Sequence, residues 1–283
     1  MRGMIDFFRI ICHNKRSLIG LIILVIFILM ATAGPFIFKL NMTVDYNNRY
    51  LSPSLEHWLG TDFAGRDTFI QLVHGSKEVL LVGLLAAFFT LFVGALLGTL
   101  SGLVGGRLDA GIMLITNLFL TIPSFPILII MAAIFSIRDP ISFALVLSAW
   151  SWPGLTRAVR SQIISLKERD FIVICKVMGM SKPHIIFKEL MPSITSFLSI
   201  SFIMTMRGAI TGSVGIMMLG LAPYSPTNWG QMLNLAVSQT GGIFNPLGFI
   251  YLFSPILCLA FFQLGSIFFA NGIDEALNPR LRG

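Results

Sequence analysis

The sequence predicts an all-α polytopic membrane protein with about six transmembrane helices. Composition points there first. Of 283 residues, 55% are hydrophobic and 12% charged, and mean hydropathy is +0.84. Soluble domains usually carry about 25% charged residues. The second observation is distribution. The apolar residues fall in runs of about 20, the length a helix needs to cross the hydrocarbon core. The net charge of +7 suits cationic loops against an anionic leaflet better than it suits nucleic acid.

Six runs qualify in order: Leu18–Phe38, Val79–Leu100, Ala110–Phe135, Ile141–Val159, Ile194–Leu221 and Leu247–Ala270. Internal Gly and Pro in several of them are tolerated in membrane helices. The first run has a second reading. It follows a basic start and passes an A-x-A-like site at Ala31–Ala33, as a signal peptide would. It also continues to Phe38, longer than a usual signal core. This gives a short arm (1–17), one membrane domain (18–271) with outer loops 39–77 and 222–246, and a tail (272–283). No internal repeat or low-complexity segment is visible.

Charge sets the orientation. With the N-terminus inside, the inner segments hold Arg2, Arg9, Lys15, Arg16, Arg107, Arg157, Arg160, Lys167, Arg169, Lys176, Lys182, Lys188, Arg280 and Arg282, fourteen in all. The outer segments hold Lys39, Arg49, Arg66, Lys77 and Arg138, five in all. Both termini are therefore expected in the cytoplasm. The loop Ala222–Pro246 has no charged residue, and its WGQMLNLAVSQ segment reads as a short helix on the outer surface with Trp229 at the lipid interface.

The inner segment 160–192 is the unusual one. Ser165 to Met178 is expected to be a helix. Ile163, Ile164, Phe171, Ile174, Val177 and Met178 recur at helical spacing, and Arg169 and Lys176 fall largely elsewhere. Gly179 suits a left-handed helix end, Ser181 can cap a second helix, and Pro183 fits its first turn. The result is a basic helical hairpin outside the bilayer. Its apolar stripe either sits in a groove of a partner or lies on lipid headgroups. Pattern alone leaves both open.

This segment resembles the cytoplasmic EAA loop of permease subunits in ABC importers. That loop carries a Gly followed about a dozen residues later by a Pro, here Gly179 and Pro192. FIVICKVMGMS is closest to the dipeptide/oligopeptide-type form Y-V-x-A-A-R-x-x-G-x-S. Phe171 stands for the Tyr, Lys176 for the Arg, and Gly179 and Ser181 match. Ile174 and Cys175 replace the two alanines. LGTDFAGRD (Leu59–Asp67), VGALLGTLSGLVGGRLD (Val93–Asp109), PTNWGQML and DEALNPRLRG resemble further family segments in the same order. The G-T-D-x-x-G-R-D segment is that of the C-type subunit.

The resemblance implies a type I permease fold in a prokaryotic inner membrane. It implies a second homologous permease, two ATPase subunits that carry ATP and Mg, and an external solute-binding protein. Arg169, Asp170, Phe171, Ile174, Cys175, Lys176, Gly179 and Ser181 would dock an ATPase. Relatives import peptides, nickel chelates, glutathione or oligosaccharides. Many have a Glu in the fifth span where this chain has Ser213, which implies a less acidic path.

Other candidates are weighed on their own residues. Asp62, Arg66 and Asp67 read first as a salt-bridged turn in an outer loop, and second as a docking surface. Gly94, Gly98 and Gly102 are small-x-x-x-small pairs for close helix packing. Arg207 lies within the fifth run and either lines a path or snorkels to the inner interface. Cys12, Cys175 and Cys258 show no ligand spacing, and neither do the four histidines. No P-loop pattern and no nucleophile–base pair occurs, so neither ATP hydrolysis nor other enzyme chemistry is expected of this chain. A self-sufficient channel or ion-coupled transporter is the alternative, and only Arg207 offers it a coupling charge.

Overall fold

The computed structural model describes residues 13–135, 137–222 and 225–277, with the side chains of Lys176, Lys182 and Leu277 outside that description. The described residues are helical throughout, apart from connecting loops and the isolated bridge between Thr61 and Asp67.

Helix α1 is Lys15–Thr32. Asn14 caps it, its side chain accepting from the Arg16 and Ser17 N–H groups. An irregular outer segment follows. Helix α2, Thr68–Val104, is capped by Asp67 through the Ile70 N–H and runs 37 residues. Gly105 ends it at φ +69, and α3, Gly106–Thr121, turns back. Helix α4 is Ser124–Ile134. Helix α5, Pro140–Lys167, opens on a capping box between Asp139 and Ser142. The Ser142 backbone N–H is the main reason the Asp139 carboxyl sits below the usual carboxylate range. Helix α6 is Asp170–Val177, α7 Thr195–Met218, α8 Trp229–Thr240 and α9 Phe249–Leu277.

By length and composition, α1, α2, α7 and the run Pro246–Ala276 can each cross a membrane. The expected span Ala110–Phe135 is not one straight helix. It breaks into α3 and α4 with a bend of 89°. Pro123 is the cause: it holds Ile122 extended, at ψ 128, and restarts the helix at a new angle. The expected span Ile141–Val159 lies inside α5. That helix is long enough at 28 residues, but Ser142, Ser148, Ser151 and Arg157 dilute it, and it is not among the strongly apolar ones.

Glycines set how closely the spans approach. A Cβ on Gly98 would lie 2.7 Å from the Thr156 carbonyl oxygen, and one on Gly94 or Gly102 under 3 Å from Leu155 or Ile163. The glycine seam of α2 therefore packs within the chain, against α5. Small residues here let backbones meet where lipid gives no hydrophobic drive.

Helix α1 packs on α9 in the same way, through Gly20 and Gly265. Phe27 is buried edge-on to Trp229 and Phe262, at 5.8 and 5.6 Å. The first run is thus packed into the helical body.

Helix α8 does not lie on the surface. Trp229 is wholly buried and donates its indole N–H to the Leu72 carbonyl at 3.0 Å. Met232, Leu233 and Ala236 continue that buried face. An uncharged amphipathic segment found a protein groove between the spans, and the indole found its partner there instead of at the headgroups.

Candidate functional site

The cytoplasmic element grows directly out of α5. The sequence suggested one helix from Ser165 to Met178, but the chain breaks at Glu168–Arg169. There four successive charged residues, Lys167 to Asp170, interrupt the apolar stripe. Glu168 takes φ −90 and ψ 0, and α6 restarts with Asp170 in its first turn, where a negative charge suits the helix dipole. Gly179 follows at φ +71, and the Met180 N–H bonds back to the Cys175 carbonyl at 3.0 Å. A Cβ on Gly179 would meet nothing within 4 Å, so backbone conformation alone calls for glycine. Ser181 Oγ accepts from the His184 N–H at 3.4 Å, and helix resumes at Lys182–His184 with Pro183 inside.

The return segment of the hairpin is wound as a π-helix over Ile185–Leu190. The Met191 N–H reaches the Ile186 carbonyl, a five-residue step. Pro192 follows directly. It has no N–H and would crowd the Lys188 carbonyl of an α-helix, so the wider turn accommodates it.

Beneath the hairpin, Leu155, Val159 and Ile163 of α5 meet Ile172 and Cys175 of α6 and Ile185, Leu190 and Ile194 of the return segment. Cys175 thus points into the hairpin's own core, and its side chain is not on a docking face as the resemblance implied. Ile172 is the other buried position, and the sequence stripe omitted it. Phe171, Ile174, Val177 and Met178 stay exposed, with Val177 83% and Met178 67% accessible. Arg169, Asp170 and Ser181 are exposed beside them. The hairpin is therefore two-faced: one apolar face holds it to α5, and the other is left open.

At the same end, Arg160 of α5 grips Asp109 of α3 in two bonds, Nε to Oδ1 and Nη2 to Oδ2, each 2.6 Å. The Ser101 hydroxyl of α2 also donates to Asp109. One turn along, Arg157 Nη2 donates to Asn117 Oδ1 at 2.6 Å. The sequence reading missed Asp109 and Asn117. Their signal was available only as two arginines three residues apart, which say nothing of their partners.

At the outer end, Asp62 is fully buried. Its carboxylate accepts from the Ala64 and Arg66 N–H groups at 2.8 and 3.0 Å, from Arg66 Nε at 2.8 Å and from Gln71 Nε2 at 3.0 Å. Asp67 accepts from the Ile70 N–H and lies 2.8 Å from His57 Nδ1. The three candidates thus form an internally bonded cap.

In the spans, Ser213 is 1% exposed and donates to the Ile210 carbonyl at 2.8 Å. It is a packing residue of α7 and lines no opening. Arg207 is half-buried one and a half turns before it. Among the described residues no group of His, Cys, Asp and Glu could hold a metal ion.

Two families match the chain. Residues 94–283 match the binding-protein-dependent transport system inner membrane component. Residues 4–53 match the N-terminal transmembrane domain of oligopeptide transport permease C. The dipeptide transport system permease protein DppC of Alkalihalophilus pseudofirmus is 32% identical, over 97% of this chain and 89% of its own length. The oligopeptide transport system permease protein OppC of Bacillus subtilis is 28% identical over 95% and 87%. The dipeptide permease protein DppC of the same organism is 29% identical over 98% and 86%.

Proposed function

Because the chain belongs to the family of binding-protein-dependent transport system inner membrane components, we propose that it is a permease subunit of an ATP-driven importer for peptide-like solutes. It forms half of the translocation path beside a second, homologous permease. Two ATPase subunits bind ATP and Mg on the cytoplasmic side, and an external binding protein delivers the solute. Both termini face the cytoplasm of a prokaryotic cell.

One observation carries this reading: the open apolar face of α6, made of Phe171, Ile174, Val177 and Met178. The helix is anchored from behind by Ile172 and Cys175. Such a helix is a rigid knob for a groove on a soluble partner. Motion of the partner passes through Glu168 into α5 and so into the spans.

Val177→Asp tests it cleanly, because Val177 is nearly free of contacts and the change leaves the hairpin core intact. A charge forced into an apolar groove weakens binding by more than about tenfold, since an unpaired buried charge costs several kcal/mol. The variant is expected to reach the membrane at normal yield, to lose its co-purifying ATPase and to lose uptake. Normal uptake with the ATPase retained would sink the docking role. Gly179→Val, strained at positive φ by about 1–2 kcal/mol, is expected to misaim α6 and give a similar loss of coupling.

A further inference from the structure

We infer that Arg207, Thr211 and Gln263 form an anion-binding patch on the solute path, one that takes the carboxylate of a passing solute. The inference rests on the permease reading for its solute, and on the helices' own geometry for its place. Arg207 sits at the middle of α7, a helix long and apolar enough to span the membrane. No ion pair or hydrogen bond to its guanidinium is found among the described residues. A guanidinium at that depth is costly unless it faces water, protein or an anion.

The surface around it is polar and open. Thr211, four residues on and so on the same face, is exposed. Its hydroxyl donates to the Arg207 carbonyl at 3.1 Å. Gln263 of α9 reaches across, its Nε2 lying 2.5 Å from Thr211 Oγ1 and 3.3 Å from the Arg207 carbonyl. Gly208 is exposed between them, and a Cβ there would meet nothing within 4 Å. The adjoining flank of α7 is different: Ile210, Ser213, Val214 and Met217 are buried against other helices. So α7 packs one flank against other helices and leaves a cation and a hydroxyl open on the next, with the Gln263 amide of α9 beside them. Hydrocarbon is a poor neighbour for that surface, and an aqueous path is a good one. The carbonyl bonds hold Thr211 and Gln263 in place, while the guanidinium keeps its fork of N–H donors for a carboxylate.

The test uses thiol labelling in the assembled complex. Thr211→Cys is made with Cys12, Cys175 and Cys258 changed to Ala. It is treated with an anionic reagent (sulfonatoethyl methanethiosulfonate) and a cationic one (trimethylammonioethyl methanethiosulfonate), both water-soluble. Rates are divided by those of free mercaptoethanol. The expected result is an anion preference of about tenfold, set by a unit charge about 6 Å away in a water-filled path, where attraction of one reagent and repulsion of the other add. Arg207→Gln is expected to abolish the preference and Arg207→Lys to keep most of it. Dialanine is expected to slow the anionic reagent, and dialanine amide to leave it unchanged. A thiol unreactive to both reagents in every nucleotide state overturns the proposal, because the face is then covered by lipid or protein. So does a preference that ignores Arg207→Gln, or equal protection by the two dialanine probes. If the ATPase co-purifies while the labelling fails, the patch is wrong and the permease reading stands. If the charge-dependent labelling appears without any ATPase, the patch stands and the permease reading falls.

Discussion

Asp62 and Asp67 are five residues apart in one motif, yet their side chains have very different surroundings. Asp62 is fully buried and is bonded by two backbone N–H groups, Arg66 and Gln71. Removing its carboxylate leaves a buried guanidinium unpaired, a loss of about 3–5 kcal/mol. Asp67 is a helix cap that also contacts His57. Asparagine caps a helix as well as aspartate, and alanine costs about 1 kcal/mol. Asp62→Ala is therefore expected to abolish most folded protein, Asp67→Ala to lower the unfolding temperature modestly, and Asp67→Asn to do little. Fluorescence-detected size exclusion with a thermal ramp reads all three. Equal effects of Asp62→Ala and Asp67→Ala would contradict the cap geometry. The sequence offered the charge cluster but not this ranking. Which acid is buried depends on Gln71 and on the reversal that brings Tyr50 N–H to the Asp62 carbonyl, and neither has a local signature.

Among elements, the glycines of α2 and α5 separate two roles that look alike in sequence. Gly98 has the Thr156 carbonyl and the Val159 side chain within 3 Å of where its Cβ would stand, while Gly154 has nothing within 4 Å. Gly98→Ala would need the two helices to part, and overpacking of this kind costs about 1–3 kcal/mol. Gly154→Ala gains helix propensity at no steric cost. The first is expected to lower thermal stability and the second to hold or raise it. The reverse order would place the α2–α5 contact elsewhere. Spans with continuous apolar runs were legible because length and hydropathy are properties of one segment. The bend at Pro123, the burial of Trp229 and the break at Glu168 were not, because each is settled by what packs opposite. In the hairpin, Gly179, Ser181 and Pro183 were legible, since each acts through its own backbone. Cys175 was not, since its direction depends on where α5 lies.

At the scale of the whole molecule, α5 joins the open face of α6 to the rest of the helices. Along its length it lies in the glycine seam of α2, so the two are a packed unit. Helix α3 is held differently. Most of its apolar side chains, such as Leu114, Ile115 and Leu118, are exposed, and Thr116 alone among its described residues is buried. Two polar clasps tie it to α5, Asp109 with Arg160 and Asn117 with Arg157, and Phe119 packs on Trp150 and Trp152 at 4.5 and 5.4 Å. If ATPase motion enters at α6 and travels along α5, these two clasps are the directional part of its passage to α3, beside the aromatic packing. Hydrogen bonds to charged groups contribute about 1.5–3 kcal/mol each, enough to carry a shared movement and small enough to lose without unfolding. Asp109→Asn keeps the shape and removes the charge. It is expected to leave ATPase association and folding unchanged while solute moved per ATP falls several-fold, with uptake and hydrolysis measured in the same proteoliposomes. Exchanging the pair, Asp109→Arg with Arg160→Asp, is expected to recover part of that ratio, although the swapped donor no longer faces Ser101 as before. A ratio untouched by Asp109→Asn would mean that α3 follows α5 through packing alone.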